Sequence, residues 1–136
     1  MEKDPHITDF NVGYDFVPIS FRLSKSEVDL YLKSVAGHQG LYEEHGYVPP
    51  TAMAAFALRG ILLEINLPGG AIHSAQELTV HRPISSTETI EFIAKLIQNA
   101  VWKGWRFVSV QYYGLDAHGD TVINGRSTVV IPEVDL

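Results

Sequence analysis

The spacing of apolar residues changes near residue 70 of this 136-residue chain. Before that point, apolar side chains recur mainly at three- and four-residue intervals, which is typical of helices. After it they alternate with polar ones, as in half-buried strands. The strand-like segments are 71–81, 89–98, 105–113 and 121–131. The last three follow one another through tight turns, so they predict an antiparallel meander.

A short strand and a short helix are predicted to begin the folded domain. Residues 16–23 have the composition of a strand, and Pro18 favours a sheet edge because proline lacks the amide that a central strand donates. Ser24 and Glu27 have the spacing of a capping box, in which each side chain bonds the other residue's backbone amide. A helix is therefore predicted from this point, and Gly37 is well placed to end it.

The segment 51–65 is predicted to be a long helix that is buried on nearly every side. Its side chains are apolar all round, and Arg59 is the only charged residue before Glu64. A helix that is apolar on all faces needs cover on all faces, and in a chain of this length only a curved sheet can enclose it. Thr51 is predicted as its N-cap. Because an unpaired buried charge is costly, Arg59 is expected to reach a carboxylate, a carbonyl oxygen or the mouth of a subunit interface.

Composition and charge narrow the classes of function. The absence of cysteine excludes disulfides, thiolate metal ligands and a cysteine nucleophile. The net charge is −6 and the basic residues are scattered, so nucleic acid is not expected as a partner. No segment is apolar enough to span a membrane, and the N-terminus lacks the features of a secretion signal. We therefore expect a cytoplasmic protein with a polar N-terminal arm, residues 1–15, and one domain, residues 16–136.

Three segments of the chain resemble MaoC-like hydratases and dehydratases. Segment 69–84 (GGAIHSAQELTVHRPI) is similar to the family's strand that ends in an Arg-Pro turn. Segment 31–37 resembles the helix end before the family's catalytic loop, and 48–52 (VPPTA) resembles the start of its central helix. The resemblance extends over nearly the whole chain. It implies an α+β hot-dog fold, in which a curved antiparallel β-sheet wraps a long central helix.

The resemblance also implies a ligand and a reaction. The ligand would be an acyl thioester, carried by CoA or by an acyl-carrier protein, and no other cofactor is implied. The reaction would be hydration of an enoyl double bond or the reverse elimination, a lyase step of fatty acid metabolism that needs a base and an acid. Amides at the start of the central helix would stabilise charge on the thioester oxygen. Because the sheet leaves an edge strand, we expect a homodimer or a larger hot-dog oligomer.

The loop that carries catalysis in that family has a different sequence here. Active members resemble one another in the motif Gly-Asp-x-Asn-Pro-x-His, whereas residues 37–42 of this chain read GHQGLY. The usual Asp/His pair is therefore absent in its normal form. His38 and His45 are the catalytic candidates, because a neutral imidazole is a base near pH 7. The alternative is that both are polar loop residues.

Six residues are candidates for binding the thioester, and no metal site is predicted because the histidines lack ligand spacing. For the side chains in this group, packing and sheet hydrogen bonds are the alternative roles, while the amides of Thr51 and Ala52 are the predicted oxyanion donors. In the strand 71–81, alternation places His73 with Glu77 on one face and Ser74 with Gln76 on the other. The six candidates are Gln39, Tyr42, Tyr47, Thr51, Ala52 and Gln76.

Three functions are compatible with these observations. The first is an acyl-thioester hydratase or dehydratase with an atypical catalytic loop. The second is a non-catalytic subunit that holds the acyl chain beside a catalytic hot-dog partner, as the missing Asp/His pair suggests. The third is an acyl-CoA thioesterase with Glu43, Glu44 or Glu64 as the base. Glu64 lies near the end of the central helix, where a structural role is favoured.

Overall fold

One antiparallel sheet forms most of the molecule. The computed structural model describes residues 6–34, 45–65, 67 and 69–133. The sheet has five strands in the order β1-β3-β4-β5-β2. They are β1 (Ile19–Phe21), β2 (Ile72–Val80), β3 (Ile90–Trp102), β4 (Trp105–Leu115) and β5 (Thr121–Pro132). The predicted meander is confirmed, because β3, β4 and β5 are neighbours both in sequence and in the sheet.

Two α-helices lie within the described ranges, α1 (Lys25–Ser34) and α2 (Pro50–Leu62). Helix α1 begins at the predicted capping box. The Glu27 amide donates to Ser24 Oγ at 3.3 Å, and the Ser24 amide donates to Glu27 Oε1 at 3.4 Å. The predicted end of this helix at Gly37 lies outside the described residues. None of the helices in the described ranges is long and apolar enough to cross a membrane.

The hydrophobic core lies between α2 and one face of the sheet, which we call the inner face. On β3 the side chains of Ile90, Phe92, Ala94 and Leu96 are buried, whereas the residues between them are exposed. This alternation is the pattern expected from the sequence. Each large side chain buried in this way contributes about 1.5–3 kcal/mol. Burial of the inner face is therefore what holds α2 against the sheet.

Helix α2 is not enclosed on every side, which corrects one prediction. It buries one face in the core, but Thr51, Ala55 and Arg59 form an exposed stripe four residues apart. Arg59 is therefore exposed on the single chain and is not enclosed by the sheet. The reason is that alanine counts as apolar in a sequence pattern but tolerates water at little cost, so the pattern overstated the need for cover.

The N-terminal arm packs against the sheet more closely than a loose lead-in would. Ile7 is buried in the core, and the side-chain amide of Asn99 donates to the carbonyl oxygens of Ile7 and Phe10 at 3.0 and 2.9 Å. Further along, the Leu96 amide donates to the Tyr14 carbonyl at 2.9 Å. Residues 6–16 are thus attached to β3. The strand prediction for 16–23 is confirmed in its centre, and β1 lies at the sheet edge as Pro18 indicated.

A β-bulge in β2 reverses the predicted facing of its residues. His73 pairs with Val129 and Ala75 with Thr128, so Ser74 is the extra residue. Because directly opposed residues share a face, His73 lies on the inner face with Gln76, Leu78 and Val80. Glu77 lies on the outer face. The expectation that His73 and Glu77 share a face is therefore wrong, since simple alternation does not hold across a bulge.

Candidate functional site

The start of α2 is shaped by two consecutive prolines. Pro49 is the N-cap and Pro50 the first helical residue, so Thr51 is not the N-cap that we predicted. The Thr51 hydroxyl instead hydrogen-bonds Tyr31 Oη at 2.8 Å, which joins α1 to α2. This contact brings the end of α1 beside the first turn of α2.

The backbone amides of this turn differ in availability. Pro50 has no amide hydrogen, and the amides of Ala52 and Met53 donate to the Pro49 carbonyl at 3.0 and 3.2 Å. For the Thr51 amide, no acceptor is found among the residues that the structure describes. Of the two predicted oxyanion donors, the Ala52 amide is therefore engaged within the helix, whereas the Thr51 amide has no acceptor among the described residues.

An apolar cavity of about 330 Å³ opens beside the first turn of α2. It lies at the end of β2, which is a free edge of the sheet. Its lining is Tyr47, Val48, Pro50, Val80, His81, Arg82 and Pro83. The cavity thus joins a helix N-terminus, an apolar wall and an open strand edge in one place.

The predicted site residues are distributed unevenly around this cavity. Tyr47 lines it, and the His45 ring stacks on Tyr47 with 5.5 Å between ring centroids. His38, Gln39 and Tyr42 lie outside the described residues. The structure therefore brings His45, Tyr47 and Thr51 to the same end of the molecule.

An ion-pair network fixes the Arg82–Pro83 turn that forms one wall of the cavity. Arg82 donates to both carboxylate oxygens of Glu88, at 3.0 and 2.6 Å, and to Asp116 at 3.1 Å. These bonds from Arg82 lower the pKa of Glu88, and burial opposes the shift. For Asp116, burial acts to raise the pKa, but the bond from Arg82 and two backbone amides lower it. Sequence analysis predicted only a turn here and missed the contribution of His81 and Arg82 to the cavity.

Gln76 lies elsewhere, next to two buried hydroxyl groups. It pairs across the sheet with Ser127, and the next inner-face row contains Leu78, Gly125 and Tyr112. Tyr112 and Ser127 are 0% and 1% exposed, and neither hydroxyl has a hydrogen-bond partner among the described residues. Burial raises the pKa of Tyr112, while Ser127 and Gln76 lie close enough to moderate the rise. Sequence analysis singled out Gln76 but not Tyr112 or Ser127, because the three residues come from three strands and only the sheet brings them together.

Glu64 has structural contacts, as the sequence analysis favoured. Its carboxylate accepts a 2.6 Å hydrogen bond from Tyr14 Oη and a short one from the Val17 amide. Both donors belong to the N-terminal segment. A carboxylate committed to two donors is poorly placed to act as a general base.

No cluster of three or more metal-binding side chains occurs in the described part of the chain. The described residues around the cavity offer backbone amides, the His45 and His81 imidazoles, the Tyr47 hydroxyl and an apolar wall.

Comparison with known proteins identifies the fold. The sequence matches no protein-family model, and no curated protein matches it significantly. Solved structures match over nearly the full length. A monoamine oxidase regulatory protein from Archaeoglobus fulgius matches with a TM-score of 0.78 and 12% identity, over 99% of both chains.

Two further matching structures are of proteins named as dehydratases. A MaoC-like dehydratase from Rhodospirillum rubrum matches with a TM-score of 0.67 and 17% identity, over 96% of this chain and 99% of that one. A chain of the C-terminally truncated HadBC (3R-hydroxyacyl-ACP dehydratase) complex from Mycobacterium tuberculosis matches with a TM-score of 0.67 and 13% identity, over 88% of this chain and 96% of that one. The predicted α+β hot-dog fold of MaoC-like proteins is confirmed.

Proposed function

We infer that this chain is a MaoC-like protein that binds an acyl thioester at the start of α2 and acts as a hydratase or dehydratase. One juxtaposition carries the proposal: the first turn of α2, which carries the Thr51 amide, contributes Pro50 to an apolar cavity of about 330 Å³ at an edge strand of the sheet. Its fold is that of the MaoC-like dehydratase from Rhodospirillum rubrum.

The helix start suits the thioester carbonyl. In addition or elimination at the α,β bond, negative charge develops on the thioester oxygen. An amide near a helix N-terminus stabilises such charge by hydrogen bonding and through the helix dipole. Pro49 and Pro50 hold the first turn in place, so the Thr51 amide is oriented before the ligand arrives.

The cavity wall suits the acyl chain. Val48, Pro50 and Val80 supply apolar surface, and burial of each methylene group there contributes about 0.8 kcal/mol. CoA or an acyl-carrier arm is polar and flexible, so it would remain in solvent at the open edge. The proposed ligand is therefore a thioester rather than a free acid.

The proton transfers are assigned to imidazole groups. His45 stacks on Tyr47 at the cavity, and His38 belongs to the loop that carries the Asp/His pair in the family it resembles. In hydration, one imidazole would take the proton of water as oxygen adds to the β-carbon, and a protonated group would deliver a proton to the α-carbon. Elimination is the same sequence reversed.

A dimer would complete the site. β2 is exposed at every residue except Leu78, and its outer edge has no paired strand among the described residues. Edge-to-edge pairing of two copies would satisfy these backbone groups and would place the cavity at the seam. We propose a homodimer, which sedimentation velocity tests directly.

Turnover of crotonyl-CoA and longer enoyl-CoAs tests the activity. We expect wild type to consume the enoyl thioester and His45→Gln to reduce the rate at least tenfold, with unchanged thermal stability. If wild type and His38→Asp are both inactive while a CoA thioester still binds, the proposal that this chain catalyses the reaction is wrong. Release of free thiol would identify a thioesterase instead.

A non-catalytic subunit is the second candidate. The missing Asp/His pair favours it, as does the likeness to a chain of the HadBC complex. Co-purification with a second hot-dog chain, and activity that appears only in the mixture, would establish this role. An active homodimer would exclude it.

A further inference from the structure

A second apolar cavity, of about 370 Å³, lies on the outer face of the sheet. It shares no lining residue with the cavity beside α2. Two pairs of directly opposed residues form its floor, Ile93 with Tyr113 and Lys95 with Gln111. Directly opposed residues share a face of the sheet, and the buried positions of β3 alternate with Ile93 and Lys95. All four side chains therefore lie on the outer face, where the proposed reaction does not use them.

The N-terminal segment supplies one wall of this outer cavity. The Phe16 amide donates to the Ala94 carbonyl oxygen at 3.0 Å, and the Phe16 side chain is 3% exposed. A backbone hydrogen bond and a buried ring thus fix the segment against β3, so the wall is in place before a ligand arrives. The other lining residues from this segment are Asp15 and Pro18.

The outer cavity has room for a small molecule and is open to solvent. Its floor residues Ile93 and Tyr113 are 39% and 38% exposed. Concave apolar surface that is left in water favours a ligand with an apolar body, because binding removes both surfaces from water. At roughly 30 Å³ for a group of the size of water or methylene, the cavity holds about ten to twelve non-hydrogen atoms.

Two hydrogen-bond donors at this cavity have no acceptor among the described residues. Lys95 Nζ lies 3.6 Å from Asp15 Oδ1, which is longer than a hydrogen bond. Tyr113 Oη accepts from the Gln111 side-chain amide at 2.9 Å, so its own hydrogen is available for another acceptor. An ammonium group and a phenol hydrogen beside an apolar floor suit a ligand with one anionic head and an apolar body.

Asp15 is the acidic residue in the lining, and its charge opposes an anionic head. The side chains of Asp15 and Lys95 are 76% and 54% exposed, so water screens their ion pair and the pair contributes little to stability. A ligand carboxylate that hydrogen-bonds Lys95 can therefore replace Asp15, whose side chain then turns into solvent.

We propose that the outer cavity binds a small apolar monocarboxylate, with its carboxylate on Lys95 and Tyr113 and its hydrocarbon part on Ile93 and Pro18. A neutral hydrocarbon would leave both donors without an acceptor. A dianion would place its second charge on the apolar floor or beside Asp15. The site goes beyond the proposed thioester chemistry, because it takes a free acid on the opposite face of the sheet.

Titration of the full chain with octanoate and octanamide, followed by two-dimensional NMR, tests the site. The two probes have the same length and differ in the charge of the head group. Octanoate has ten non-hydrogen atoms, which implies a dissociation constant of about 1 mM. We expect octanamide to bind at least tenfold more weakly, and the octanoate shifts to centre on Ile93, Lys95 and Tyr113.

A third probe, 3-phenylpropanoate, has a similar volume, and the tighter of the two acids distinguishes an aromatic from an aliphatic ligand. Equal affinity for octanoate and octanamide would overturn the proposal. So would shifts confined to the first turn of α2, or the absence of shifts with both acids.

Variants assign the binding to named side chains. Lys95→Met should weaken octanoate binding about tenfold, since a hydrogen bond to a charged group is lost. Asp15→Asn removes the competing carboxylate and should strengthen binding about two- to threefold. Lys103→Met is the matched control, because Lys103 Nζ lies 4.6 Å from the centre of the Trp102 ring at the β3–β4 turn, and it should bind like wild type.

Thermal melting confirms that each variant is folded, and Tyr113→Phe, with an expected loss of threefold or more, provides the test if Lys95→Met unfolds. The same affinity in Lys95→Met and Lys103→Met would contradict the proposal. Because the probes are free acids, these outcomes leave the proposed function untouched, and octanoyl-CoA binding tests that function separately.

Discussion

The Tyr14 hydroxyl donates a 2.6 Å hydrogen bond to the Glu64 carboxylate, across 50 positions of sequence. Glu64 follows the end of α2, and Tyr14 belongs to the arm that runs along β3. The pair therefore attaches the N-terminal segment to the central helix. The pKa of Tyr14 is raised, chiefly by this hydrogen bond.

We expect Tyr14→Phe and Glu64→Ala each to lower the free energy of unfolding by about 1 kcal/mol. The double variant should lose less than the sum, with a coupling of about 0.5–1 kcal/mol in urea unfolding. Because folded Tyr14 holds its proton more tightly, its contribution is full below pH 10.0, the ordinary tyrosine value, and is lost as pH rises through the raised pKa. Strictly additive losses would contradict this interpretation.

The loss of folding stability at acid pH should come partly from Glu88. The hydrogen bonds from Arg82 lower its pKa from the ordinary 4.5. The Glu88 carboxyl therefore binds a proton less tightly in the folded state than in the unfolded state. Its contribution to the free energy of unfolding is present above pH 4.5 and is lost as pH falls through the lowered pKa of the folded state. Glu88→Gln should cost about 1 kcal/mol at pH 7, because the pair is partly exposed, and less at pH 3. Urea unfolding at both pH values measures this, with the exposed Glu91→Gln as control.

Gly125 should not tolerate a side chain. A Cβ atom there would collide with the Glu77 carbonyl oxygen and lie 2.8 Å from Tyr112 Oη. Because the carbonyl belongs to the backbone of β2, relief requires movement of a strand. We expect Gly125→Ala to lower the free energy of unfolding by about 2–3 kcal/mol. Gly69→Ala, whose added methyl group meets nothing within 4 Å, should have little effect.

Filling the cavity should weaken thioester binding. Val80 is 40% exposed and lines the cavity beside Pro50. We expect Val80→Phe to reduce the affinity for octanoyl-CoA about tenfold, which corresponds to about 1.4 kcal/mol, with an unchanged melting temperature. Val101→Phe makes the same change at a valine near the β3–β4 turn, 47% exposed and away from the cavity, and should bind like wild type. If both variants lost the same affinity for octanoyl-CoA, the cavity would not be part of the binding site.

Much of the fold was predictable because its signals are local. The alternation of β3, the capping box of Ser24 and Glu27 and the apolar run of α2 each depend on residues near one another in sequence. The type of secondary structure in these segments follows from side-chain spacing. The edge position of β1 was likewise predictable from Pro18, since proline cannot donate to a second neighbour.

The candidate site was only partly predictable. The likeness of 48–52 to a family's helix start agrees with the observed start of α2 at Pro50. The roles of Thr51 and Ala52 could not be read in the same way, because Tyr31 and Pro49 decide which groups are engaged. The Tyr31 contact depends on packing between α1 and α2, whereas the Pro49 carbonyl accepts from the first turn of its own helix.

The sequence by itself determined the main elements, their order and the buried face of β3, because these depend on short-range periodicity. Only the tertiary structure decided the facing of His73 and Gln76, since the bulge at Ser74 arises from pairing with β5. It also decided that Glu64 binds the N-terminal arm and that Tyr112 and Ser127 lie on the same face of the sheet. Such relationships join residues far apart in sequence, and their energies depend on distances that no spacing along the chain encodes.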